Sequence, residues 1–83
     1  MWEVVGYASR DVLGKDGQTR KYFDLYLERE ASAPAQGLQV IACDYAADRF
    51  TYRPKIGDRV FAAFGRSKTG RLYLSDLQVV PNV

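Results

Sequence analysis

From Tyr22 to Glu28 the chain alternates without a break, with Phe23, Leu25 and Leu27 on one side and Tyr22, Asp24, Tyr26 and Glu28 on the other. Successive side chains of an extended chain point to opposite faces, so this is the pattern of a strand with one buried and one wet face. In a helix, at about 100° per residue, the three apolar side chains would scatter round the axis and bury nothing together. A strand is therefore expected over Thr19 to Arg29.

The rest of the chain repeats the theme. Glu3 to Val12 carries Val4, Val5, Tyr7 and Val12, then stops at Gly14-Lys15-Asp16-Gly17, a turn and not a Walker-type phosphate loop. Glu30 to Gly37 reads as a loop, because Pro34 has no amide proton for a ladder. In Leu38 to Tyr45, Leu38, Val40 and Ala42 oppose Gln39, Ile41 and Cys43. Both faces are partly apolar, and neither is marked as the inner one. Ala46 to Ile56 allows one helical turn at Ala46-Ala47-Asp48-Arg49 and extended chain ahead of Pro54. Gly57-Asp58 opens a fourth strand, Arg59 to Gly65, and Ser67-Lys68-Thr69-Gly70 is a hairpin turn in which Gly70 takes a positive φ. The fifth run is Arg71 to Val80, ended by Pro81. Its Leu77 and Val79 are out of phase with Leu72 and Leu74, which predicts a bulge near Ser75-Asp76.

Five strands without a full helix predict an all-β fold, a small five-stranded OB-type barrel occupying residues 1–83 as a single domain. Closure removes the two edges that so small an open sheet would expose. An SH3-like barrel is the alternative; its strands are shorter than the long first, second and fifth runs here. A chain of 83 residues has a thin core, which makes dimerisation an economical way to bury more. The apolar second face of Leu38 to Cys43, and Trp2, Phe50 and Phe61 with no obvious inner-face slot, point the same way.

Several chemistries are excluded by composition. There is no histidine and only one cysteine, Cys43, so His-based triads, thiolate metal sites and an internal disulfide are all out of reach. No acid–base pair stands out among the scattered carboxylates, so the chain is expected to bind and not to catalyse, without cofactor or metal. No apolar run approaches membrane-spanning length, and Met1-Trp2-Glu3 lacks the basic start and apolar stretch of a signal peptide. A soluble, cytoplasmic protein is expected, with no membrane partner.

The distribution of charge says more than its balance of +2. Residues 10–21 and 66–71 hold seven bases (Arg10, Lys15, Arg20, Lys21, Arg66, Lys68 and Arg71) and two acids, a net of +5, while the remainder carries a net of −3. These segments are the first–second and fourth–fifth hairpins, the loops that flank the ligand face of an OB barrel. Hairpin tips carry charge for solubility in any case, but two biased together match the pattern for a phosphate backbone. Six of eleven aromatics are tyrosines. Tyr22 and Tyr26 lie on the polar face of the cleanest strand, and Tyr73 sits likewise beside Arg71. Rings exposed beside cations suit a sequence-tolerant single-strand binder, since every base has a face to stack. Tyr7, Tyr45 and Tyr52 fit a core edge or an interface better, and so does Trp2.

Two stretches carry a family resemblance. Tyr52-Arg53-Pro54, a β run with Phe64, the hairpin Gly70, Leu72-Tyr73-Leu74 and the ending Leu77-Gln78-Val79-Val80-Pro81 resemble the C-terminal part of the gene V type single-stranded DNA-binding proteins of filamentous phages. Gly17 to Leu27 resembles that family's DNA-binding wing. Gly57-Asp58-Arg59-Val60 followed by Gly70-Arg71-Leu72-Tyr73-Leu74 is similar, more loosely, to bacterial-type SSB barrels. The resemblance implies an obligate dimer that coats single-stranded DNA in a host cytoplasm during replication. It matches Arg20, Lys21, Tyr22 and Tyr26 to the wing and its stacking strand, and places Arg71 and Tyr73 after the second hairpin glycine. One departure is Thr69, where the family has an aromatic before that glycine.

The resulting expectation is a homodimer coating single-stranded DNA without strong sequence preference. Arg10, Lys15, Arg20, Lys21, Arg66, Lys68 and Arg71 would contact phosphates, and Tyr22, Tyr26 and Tyr73 would stack bases. An RNA-binding translational repressor and an SH3-like protein-interaction module are the alternatives.

Overall fold

The computed structural model describes residues 1–81. Its strands are β1 (Trp2–Leu13), β2 (Thr19–Glu30), β3 (Leu38–Ala46), β4 (Arg59–Arg66) and β5 (Leu72–Val80), each within a residue of the expected bounds. They close into a barrel in the order β1-β2-β3-β5-β4. All neighbours run antiparallel except β3 and β5, which meet in parallel at Asp44 and Tyr73. The fold is a small, closed, five-stranded all-β barrel, and this strand order is consistent with the OB type. No described helix is long and apolar enough to cross a membrane.

The alternation of β2 is as expected: Phe23, Leu25 and Leu27 are buried and Tyr26 faces solvent. Val4, Val60, Cys43 and Leu74 complete the barrel interior. On β3 the ambiguity resolves in favour of Ile41, Cys43 and Tyr45, which pack inward, while Leu38 and Val40 are exposed. On β5 the bulge falls at Ser75, which is skipped where Phe64 pairs with Leu74 and Ala63 with Asp76. One extra residue reverses the phase, so Leu74 and Leu77 both reach the core despite their odd spacing.

Two expectations are corrected here. Trp2 and Phe50 do have inner places. Trp2 is buried edge-on against Phe64, with ring centroids 5.8 Å apart, and the guanidinium of Arg29 lies 4.3 Å above its ring. Phe50 belongs to the segment 46–56, which packs Ala47, Phe50 and Tyr52 against the core. A single turn at Ala46–Arg49, with the Arg49 amide donating to the Ala46 carbonyl, leads into extended chain that sets Phe50 5.6 Å from the Tyr45 ring. Tyr45 donates to the Tyr52 carbonyl and Tyr52 to Asp58, so both phenols are satisfied core groups. Of the three aromatics expected to lack a slot, Phe61 alone is exposed.

β1 carries a bulge that the sequence pattern does not announce. Val4 pairs with Leu27 and Gly6 with Tyr26, which leaves Val5 as the extra residue. Before it, Trp2 and Val4 point inward. After it, Gly6, Ala8, Arg10 and Val12 share the outer face with Tyr26, Asp24, Tyr22 and Arg20. Without the bulge the alternation would put Val4 and Arg10 on the same side. β1 meets β4 only at Trp2 and Glu3, so the long β1–β2 hairpin projects beyond the closed barrel and the chain measures 46 Å along its longest axis.

Candidate nucleic-acid interface

The outer face of β2 is the spine of the site. Directly opposite neighbours in a sheet lie within side-chain reach, so what flanks each tyrosine decides how much of its ring is free. Tyr26 lies between Gly6 on β1 and Ala42 on β3, neither of which can cover it, and it is 44% exposed. Its ring leans over Gly6, where a Cβ would sit only 3.3 Å from Cδ2. Tyr22 lies between Arg10 and Ala46, with the Arg10 guanidinium 5.2 Å from its ring centroid. Tyr73 on β5 pairs with Gly65 and crosses it more closely still, since a Cβ there would stand 2.5 Å from Cζ and from the hydroxyl. Two of the three expected stacking rings thus lie over glycines, an arrangement that supports an aromatic on a sheet surface without a neighbouring side chain above it.

The cations are organised differently from the expectation of a free basic rim. Arg10 donates from Nε to Asp24 at 3.1 Å and from a terminal nitrogen to Asp44 at 3.0 Å. Arg71 forms an ion pair through Nε with the same Asp44 oxygen at 3.1 Å, without the geometry of a hydrogen bond. The hydrogen bond and charge of Asp24, with the charge of Asp44, push the Arg10 guanidinium above its ordinary value against the opposing effect of burial. Asp44 is buried at the point where β3 meets β5, so it joins the outer face of the first hairpin to the foot of the second. Arg20 pairs with Asp16 across the first turn at 3.2 Å, both groups being exposed. The Gln18 amide, and then Arg20, hold the Asp16 carboxyl below its usual range. Arg66 spends one nitrogen on the Gly70 carbonyl. Lys15, Lys21 and Lys68 form no ion pair among the described residues.

Arg10, Arg20, Tyr22, Tyr26, Arg71 and Tyr73 come together on one outer surface, with Lys15 at its distal end. A cleft lined by Val12, Lys15, Asp16, Arg20 and Tyr22 adjoins another lined by Tyr22, Asp44, Arg49, Arg71 and Tyr73, so Tyr22 is common to both. Lys21 and Arg66 do not join them. Each is one residue out of phase with that face and points to the other side of its hairpin, Lys21 toward Asp48 and Arg53. Lys68 sits at the exposed tip of the second hairpin.

Arg49 was not singled out by the sequence, because it belongs to a stretch whose charge looked unremarkable. The turn after β3 swings it beside Arg71 and Tyr73, where it donates to the Ser75 carbonyl at 3.3 Å. The two acids of the site, Asp24 and Asp44, were equally invisible to a count of bases by segment. Cys43 lies on the inner side of β3, where burial, and then the charge of Asp44, push its thiol up to about 12. Among the described residues, no group of three or more His, Cys, Asp or Glu side chains is placed to hold a metal ion. No family model, no curated protein and no solved structure matches this chain.

Proposed function

We propose that this barrel coats single-stranded DNA without strong sequence preference, as a non-enzymatic binding protein acting in the cytoplasm during replication. The observation that carries the reading is the outer surface running from the first hairpin to the second. There Tyr22, Tyr26 and Tyr73 stand among glycine, alanine and arginine. Bases stack on such rings whatever their identity, and cations between them track the linking phosphates. The resemblance to gene V type proteins implies the same manner of binding. A homodimer belongs to the proposal as well. Leu38, Val40 and Phe61 hold large apolar side chains more than half exposed, and beyond Val4 the outer edge of β1 pairs with no described strand.

A titration with oligo-dT, read by quenching of tyrosine fluorescence across a salt series, tests the reading. Saturable quenching with an affinity that falls steeply with salt is expected, because each neutralised phosphate releases counterions. Binding that ignores salt would favour a protein-interaction module instead. Competition with an RNA oligomer of equal length separates DNA from RNA as the preferred strand.

A further inference from the structure

The four charged groups at the centre of the surface cancel, which at first sight makes a poor site for an anion. Arg10 and Arg71 are matched by Asp24 and Asp44. The geometry of the pairing changes that conclusion. Both arginines converge on one oxygen of Asp44, at 3.0 and 3.1 Å, and that carboxylate has a side chain only 6% exposed. A carboxylate so placed cannot swing into solvent to make way for a ligand. Its contacts use Nε of Arg71, and Nε and one terminal nitrogen of Arg10. The other terminal nitrogen of Arg10 and both of Arg71 donate to no described protein atom, while the two side chains are 38% and 54% exposed. Arginine keeps its donors in a rigid planar fork, so the two-point hold on Arg10 fixes the direction of its free nitrogen, while the Asp44 ion pair places the Arg71 guanidinium beside it.

We infer that Asp44 is a positioning residue that locks Arg10 and Arg71 into a preformed clamp for one phosphate of the bound strand, between Tyr22 and Tyr73. The inference rests on the single-strand reading above and adds where one phosphate sits and what aims its donors. The second Asp44 oxygen is buried without a partner, so the carboxylate depends on its two arginines, and they on it. Long flexible side chains lose conformational freedom when they grip a phosphate; here that cost is met during folding. Arg49 stands at the rim of the same cleft as an additional cation.

Asp44→Asn gives the test its sign. The substitution keeps the shape and raises the net charge by one, so a carboxylate that merely repelled DNA would bind it more tightly once neutralised. A positioning carboxylate predicts the opposite. Affinity for oligo-dT should fall about tenfold, as for loss of a charge-assisted hydrogen bond. The salt slope should become shallower by about 0.7, one phosphate contact, which a loss of folded protein alone would not produce. Asp48→Asn, an exposed site with the same charge change, should not weaken binding. Arg71→Lys retains the charge without the fork and covers the case in which Asp44→Asn does not fold; it too should bind about tenfold more weakly. Unchanged or tighter binding by folded Asp44→Asn, or by Arg71→Lys, overturns the clamp while leaving the single-strand reading intact. A wild-type protein that fails to bind oligo-dT overturns that reading itself.

Discussion

Replacing Gly65 with alanine would displace the Tyr73 ring while leaving residue 73 itself unchanged. An alanine Cβ at position 65 would stand 2.5 Å from Cζ and the hydroxyl of Tyr73 and 2.9 Å from Cε2, far inside van der Waals contact. The obstructing atoms are the far end of a side chain on a half-buried residue, so the ring swings off and the strand stays. Gly65 has no positive φ, so alanine suits its backbone. Glycine within a strand costs about 0.5–1 kcal/mol relative to alanine, and losing the cross-strand ring contact costs about 0.2–1 kcal/mol, with opposite signs. Net stability should therefore change by less than about 1 kcal/mol. If Tyr73 carries a base, binding should weaken by about 1–3 kcal/mol, roughly 5- to 150-fold. Gly6→Ala, where the approach to Tyr26 is 3.3 Å, needs a shift of only tenths of an ångström and should lose less. The assay pairs urea unfolding with the oligo-dT titration. Because both act through one ring, Gly65→Ala combined with Tyr73→Ala should be no worse than Tyr73→Ala alone. A folded Gly65→Ala protein with wild-type affinity would remove Tyr73 from the stacking surface. A stability loss above about 2 kcal/mol would show that the ring is packing and not a platform.

Tyr26→Ala should cost about 1 kcal/mol of stability or less but about 1–3 kcal/mol of binding, whereas Phe23→Ala should cost about 3–5 kcal/mol of stability; chemical denaturation beside the titration distinguishes them, and the reverse order would mean the strand faces are exchanged. Reversing charge at Lys15 and Arg20 together should flatten the salt slope by about 1.4, if each meets one phosphate; an unchanged slope takes the first hairpin off the binding surface. Sedimentation equilibrium at micromolar concentration should give a dimer, and a monomer there would refute the proposed assembly. In the folded protein burial raises Cys43 from 9.0 and Tyr45 from 10.0, each to about 12, so at intermediate pH the folded chain keeps protons that the unfolded chain has released. Stability should therefore fall as pH rises from about 9 toward 12, and a flat series of urea midpoints across that range would contradict the burial of these groups.

The sequence by itself determined whatever depends on neighbours along the chain. The alternation from Tyr22 to Glu28 fixed which side of β2 is core and which carries Tyr22 and Tyr26, because a strand's faces are set two residues at a time. The phase break between Leu74 and Leu77 located the bulge now seen at Ser75, since only an inserted residue lets both reach the interior. Tertiary structure alone decided the rest. β3 offers apolar residues on both faces, and its register with β2, which sets Ile41, Cys43 and Tyr45 opposite Leu27, Leu25 and Phe23, chose the inner one. Phe50 found an inner place because a segment with no periodic signature packs on the core, and Trp2 because the pairing of β1 with β4 sets it against Phe64. The bulge at Val5 turned Arg10 outward toward Tyr22, and Val4 and Val5 are both apolar, so their order in the chain carries no trace of it. Above all, Asp44 meets Arg10 from 34 positions away, and Arg71 across a parallel pairing made only when the barrel closes. Charge counted along the chain records the bases of each hairpin, but which acid faces them is set by strand order and register.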